Sequence, residues 1–110
     1  MRGPESNVRI EVSAKRMEMS ESLREFAERC VYFALGRFGQ RVELVRVRIH
    51  AASGRSPSRS GHYACEIRVR LRGADPAAAT VVLADARVAV QRAAADIGRA
   101  VARRLRTVDC

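Results

Sequence analysis

Two stretches of this chain alternate aliphatic and basic residues: VRVRIH from 45 to 50 and IRVRLR from 67 to 72. A period of two is the signature of a strand whose faces meet different surroundings. The aliphatic set, Val45, Val47, Ile49 and Ala51 with Tyr63, Cys65, Ile67, Val69 and Leu71, predicts a face turned to the core. The opposite face then carries Arg46, Arg48 and His50 on one strand and His62, Glu66, Arg68, Arg70 and Arg72 on the next. The strands are expected over about 42–52 and 62–72. Between them, SGRSPSRSG is a polar Gly/Ser/Pro-rich hairpin loop. A hairpin centred near Ser56 would pair His50 with His62 and Arg46 with Glu66.

The same pattern organises the rest. Residues 8–13 alternate, with Val8, Ile10 and Val12 on one side, and predict a first strand. From about 21 to 37 the spacing turns helical, with Leu23, Phe26, Ala27, Cys30, Ala34 and Phe38 on one line. Ser20 is suited to cap this helix, and Glu21 sits where the helix dipole favours an acid. Ser22 and Glu25 offer a competing capping box, and Gly39 is a natural stop. Tyr32 and Leu35 fall off the apolar line, as seam packing between helices or as a small contact patch. After the turn RGADPA comes a short fourth strand, ATVVLA. Asp85 can cap a last helix reaching about Arg106, with Ala86, Ala89, Val90, Ala93, Ile97, Ala100, Val101 and Leu105 inward. Its wet face carries Arg87, Gln91, Asp96, Arg99, Arg103 and Arg106.

This order predicts an α+β fold, a two-layer βαβββα sandwich. The first β-α-β unit should cross over right-handed, making its two strands parallel. Both helices then cover the aliphatic face of a four-stranded sheet and leave the arginine face uncovered. The 110 residues suit a single domain over 1–110, with its core at about 8–106.

Charge changes the picture. The net charge is +9, and every basic residue except Lys15 is arginine. A codon bias toward arginine would explain the choice over lysine but not the excess over the 12 acids. Residues 46–72 hold Arg46, Arg48, Arg55, Arg59, Arg68, Arg70 and Arg72 against one acid, Glu66. Like charges on neighbouring strands repel, and only Glu11 and Glu66 offset them. Arginine stems can cover exposed sheet, but such a cluster is better suited to neutralising the phosphates of a polyanion. The face lacks the aromatics that stack on unpaired bases, which argues against a single-strand reader and for backbone and shape recognition of folded RNA.

Other chemistry finds little support. The pattern offers no Gly-rich phosphate loop, nucleophile elbow or paired carboxylates, so no catalytic residues, cofactor or small-molecule substrate are expected. His50, His62 and Glu66 are too few for a metal site. Cys30, Cys65 and Cys110 lack metal spacing and read as reduced thiols, the first two on core faces. No apolar stretch is long enough to span a membrane, and the N-terminus has no signal-like region, which sets the cytoplasm as the expected location. Nothing in the pattern specifies an oligomeric state.

The ordered set of motifs resembles the ribosome hibernation-promoting factor and ribosome-associated inhibitor family, also called sigma-54 modulation proteins. VRIEVSAKRMEMSESLREFA follows that family's first strand and helix opening, with Ala14 in place of the usual glycine and Ser20 for the capping threonine. LGRFGQ corresponds to the end of its first helix and VRVRIH to its second strand. The last helix keeps Asp85 of the family's opening motif but loses its tyrosine, and the loop from Ser53 to Gly61 is longer and richer in Arg and Ser. The resemblance covers about residues 8–106. It implies a fold related to double-stranded-RNA-binding domains and binding to rRNA in the tRNA and mRNA channel of the small ribosomal subunit. It also implies inhibition of translation under stress, without catalysis. A chain ending at Cys110 looks like a short member without the ribosome-pairing second domain. Lys15, Arg24 and Arg37 stand where the family is often basic. The expected RNA-binding set is therefore Lys15, Arg24, Arg37, Arg46, Arg48, Arg55, Arg59, Arg68, Arg70 and Arg72. The alternatives are a general double-stranded nucleic-acid binder and a module docking an acidic protein.

Overall fold

A computed structural model describes residues 9–51 and 62–109. The elements run β1 (Arg9–Lys15), α1 (Glu21–Leu35), a 3₁₀ turn (Gly36–Arg41), β2 (Val42–Ala51), β3 (Tyr63–Leu71), β4 (Ala77–Leu83) and α2 (Ala86–Asp109). The strands form one sheet in the order β1-β2-β3-β4. β1 and β2 are parallel, as the crossover requires, and the remaining pairs are antiparallel.

The caps act where the sequence places them. Ser20 is extended, and its hydroxyl accepts from the Leu23 amide at 3.1 Å. Ser22 does not form the competing box; its hydroxyl instead accepts from Arg87 Nη2 at 2.9 Å, tying the starts of the two helices together. Asp85 Oδ1 accepts from the amides of Arg87 and Val88 at 2.8 and 3.1 Å. Both side chains satisfy amide donors that have no partner inside the helix.

α1 stops at Leu35, two residues short of the expected end. The chain tightens there into the 3₁₀ turn, where Gly39 takes φ 55°, a conformation glycine adopts at little cost. The buried stripe of α1 is Leu23, Ala27, Val31 and Leu35, while Phe26, Cys30 and Ala34 on its flank and Phe38 in the 3₁₀ turn are only partly covered. Leu35 is thus a core residue rather than an off-line one, whereas Tyr32 is exposed.

The aliphatic faces of the strands pack with both helices in one hydrophobic cluster, in which Val45, Ile49, Cys65, Ile67 and Ile97 are wholly buried. Side chains at the alternate positions of β2 and β3, Arg46, Arg48, Arg68 and Arg70, are exposed. The helices therefore share one side of the sheet, and the arginine side carries no layer among the described residues.

One expectation needs correction. Arg46 pairs with Arg68, Arg48 with Glu66 and His50 with Ala64, so the β2–β3 register is shifted by two from the one expected. An even shift keeps every side chain on its face, which is why face assignment survived the error. A bulge between Val42 and Leu44 further shifts the start of β2 by one residue, bringing Val42 opposite Leu71, while Leu44 opposite Arg70 keeps the register of the rest of the strand.

Candidate nucleic-acid interface

The register lays the open face out in rows across the sheet. One row is Glu11, Arg46, Arg68 and Ala78; the next is Ser13, Arg48, Glu66 and Thr80; a third is Lys15, His50, Ala64 and Val82. Arg9, Leu44 and Arg70 lie across the other end. Arg9 belongs to this face but was not among the expected contacts, although its alternation with Ile10 and Glu11 was enough to place it there.

Arg46 and Arg68 are direct cross-strand partners, an arrangement that like charges disfavour. Each is held by a carboxylate, Arg46 by Glu11 on β1 and Arg68 by Glu66 two residues earlier on its own strand. Arg46 Nε meets Glu11 Oε1 at 3.2 Å, and Arg68 Nε meets Glu66 Oε2 at 3.0 Å. Both acids are shared: Arg9 lies 4.0 Å from Glu11, and Arg48 lies 3.9 Å from Glu66. Arg70 has no ion pair among the described residues. Two carboxylates thus stand against Arg9, Arg46, Arg48, Arg68, Arg70 and Lys15. Exposed pairs of this kind add about 0–1 kcal/mol to stability. Their main effect is to orient guanidinium groups while leaving the face strongly positive.

The other expected residues scatter. Arg72 follows β3 and pairs with Glu43 at 3.3 Å. Arg24 is half-buried on the helical side, where its Nη1 donates to the Val12 carbonyl at 3.0 Å. Arg37 lies in the 3₁₀ turn with its guanidinium 4.6 Å from the centre of the Phe38 ring. Neither belongs to the open sheet face. Arg55 and Arg59 lie outside the described residues.

His50 and His62 do not pair with each other; His50 stands opposite Ala64, and His62 immediately precedes β3. Among the described residues no three His, Cys, Asp or Glu side chains gather as metal ligands do. Burial raises the thiol of the partly covered Cys30 and pushes that of Cys65, in the core, up to about 12, so both favour the neutral thiol. No helix among the described residues is long and apolar enough to cross a membrane.

A four-stranded mixed sheet, with two helices on one face and oriented cations on the other, defines an α+β module built to present its sheet. The model of the Sigma 54 modulation protein / S30EA ribosomal protein family matches residues 10–108, and the chain belongs to that family. Among solved structures, a ribosomal subunit interface protein from Coxiella burnetii superposes with a TM-score of 0.72 at 14% identity, over 86% of this chain and 94% of that one. The N-terminal domain of Thermus thermophilus Protein Y gives 0.69 at 21% identity, over 88% and 97%. At these identities the likeness is one of fold. No curated protein matches the chain.

Proposed function

We propose that this protein is a ribosome-associated translation inhibitor of the hibernation type. In this reading it binds rRNA in the tRNA and mRNA channel of the small ribosomal subunit, in the cytoplasm and without catalysis, as a single domain. The observation that carries the reading is the uncovered sheet face, where Arg46, Arg48, Arg68 and Arg70 stand side by side on two paired strands. Membership of a family described by a ribosomal protein supports rRNA as the polyanion. Lys15 extends the face along β1, Arg72 lies at its end, and Arg55 and Arg59 belong to the segment joining its two central strands. Arg24 and Arg37 would reach rRNA only from the helical side.

Phosphate contacts release counterions, so binding weakens with salt. Four to six contacts correspond to a slope of roughly −4 to −5 in log affinity against log salt concentration. The test is sedimentation of the purified protein with small ribosomal subunits at low and moderate salt, with excess duplex RNA as competitor. Salt-sensitive co-sedimentation that duplex RNA does not remove is expected. The Arg48→Glu/Arg70→Glu double variant should stay at the top of the gradient while keeping its folded circular dichroism spectrum. Normal sedimentation of that variant would end the sheet-face reading. Full competition by duplex RNA would reduce the protein to a general double-strand binder.

A further inference from the structure

The arginine face is not uniformly polar. At the end of the sheet where β4 begins, Leu44, Pro76 and Ala78 floor a shallow hollow of about 270 Å³, and Arg46, Arg68 and Arg70 surround it. Leu44 contributes to the floor because it keeps the strand's regular register, opposite Arg70 and two residues before Arg46 on the same face. Ala78, directly across from Arg68, contributes only a methyl group, which leaves the space open. On its other side the Arg46–Arg68 pair borders a second depression lined by Arg48 and Glu66. The two like-charged partners thus stand between an apolar hollow and a charged one.

This combination selects the occupant. A bare phosphate has no use for an aliphatic floor, and a purely apolar ligand has none for three guanidinium groups. A nucleotide has both needs: a flat base to bury, and a phosphate on either side of it. The hollow falls just short of the roughly 300 Å³ at which small-molecule pockets begin, a size suited to one base rather than a larger ligand. Guanidinium planes stack on bases as aromatic rings do, which supplies what this face lacks in aromatic residues.

Resting on the reading of the face as an RNA surface, we infer that this hollow receives one unpaired nucleotide of an otherwise folded RNA. The base lies against Leu44, Pro76 and Ala78. Arg70 takes the phosphate on one side, and the Arg46–Arg68 pair takes the other. An anion there also relieves the repulsion between those partners. Shape and charge dock the folded RNA across the sheet, and the hollow adds a requirement for a flipped-out residue at one place.

The test compares a labelled RNA hairpin carrying one bulged nucleotide with the same hairpin lacking the bulge. Adenosine monophosphate serves as a free-nucleotide competitor. The 110-residue chain should bind the bulged hairpin about tenfold more tightly. Ala78→Leu fills the hollow without changing charge, at an exposed position, and should erase that preference while leaving the salt slope intact. Arg70→Gln should weaken both hairpins and reduce the salt slope by about one. Equal affinities for the two hairpins, or a preference that survives Ala78→Leu, would overturn the proposal. Competition by the free nucleotide as strong as by bulged RNA would do the same, making the site one for a mononucleotide. The outcomes separate from the functional reading. Co-sedimentation with small subunits and no bulge preference removes the hollow alone. A bulge preference without co-sedimentation leaves the hollow and removes the ribosome.

Discussion

Three consecutive residues of β3 contrast the two sides of this molecule. Cys65 and Ile67 are fully buried, whereas Glu66 between them faces the arginines and touches two of them. The backbone is the same, and so is the strand conformation. What differs is the medium each side chain meets. On the inner face, contacts are tight and apolar, so identity matters for stability. On the outer face, the groups are wet and charged, so identity matters for what the protein can hold. Function can vary on one face without endangering the fold built on the other.

The largest effect should come from the inner face. Ile67→Ala removes a fully buried side chain from the centre of the sheet and should cost about 2–5 kcal/mol through lost transfer energy and the cavity left behind. Urea denaturation of this variant beside Arg68→Ala tests the contrast directly, because the exposed change should stay within about 0.5 kcal/mol. Equal losses would mean that the arginine face carries structural weight that its exposure conceals.

Cys65 sharpens the comparison through pH. Its thiol is raised from 9.0 to about 12 in the folded protein, first by burial and then by the neighbouring Cys30 and Glu66. Between those values the unfolded chain loses its proton and the native one keeps it, so stability falls as pH rises. The full contribution is present below pH 9 and declines by up to about 1.4 kcal/mol per unit across the window. Tyrosines also titrate at high pH, so the measurement is a difference: Cys65→Val, of similar volume, should show a shallower alkaline decline. Parallel curves for the two proteins would show that Cys65 does not carry the slope.

Faces were legible in the sequence because they depend only on local periodicity. Val45, Val47 and Ile49 against Arg46 and Arg48 needed no knowledge of a partner strand. Register was not legible, because it depends on how a polar loop closes, and the Ser/Gly/Arg-rich stretch offers several equivalent turn centres. The Arg46–Arg68 juxtaposition was therefore missed, and with it the tethering of Arg46 by Glu11, which lies 35 residues away. The hollow was hidden for the same reason. Leu44 shares the arginine face by simple alternation, but that it meets Arg70, and that Ala78 meets Arg68, depends on the β2–β3 and β3–β4 registers. Along α1, the helical line drawn through Phe26, Cys30 and Phe38 was rotated from the buried one through Val31 and Leu35. Large aromatics drew it toward a flank, while the tight space under the helix selected smaller side chains.

The finest probe of the outer face is Glu66, where a small stability effect accompanies a change in binding. Its carboxylate engages Arg68 at 3.0 Å and Arg48 at 3.9 Å, two of the groups that would meet phosphate. In the free protein it damps repulsion among Arg46, Arg48 and Arg68; in a complex it competes with the ligand for the same donors. Glu66→Gln keeps the size and one acceptor oxygen but removes the charge. Stability should change by less than about 1 kcal/mol, as for other solvent-accessible ion pairs. RNA affinity should rise several-fold, with the gain greatest at low salt, where a lost negative charge is least screened. Unchanged or weaker RNA binding by a stably folded Glu66→Gln variant would mean that Glu66 orients these arginines for the ligand rather than withholding them. The outer face would then be as precisely arranged as the inner one, through charge instead of packing.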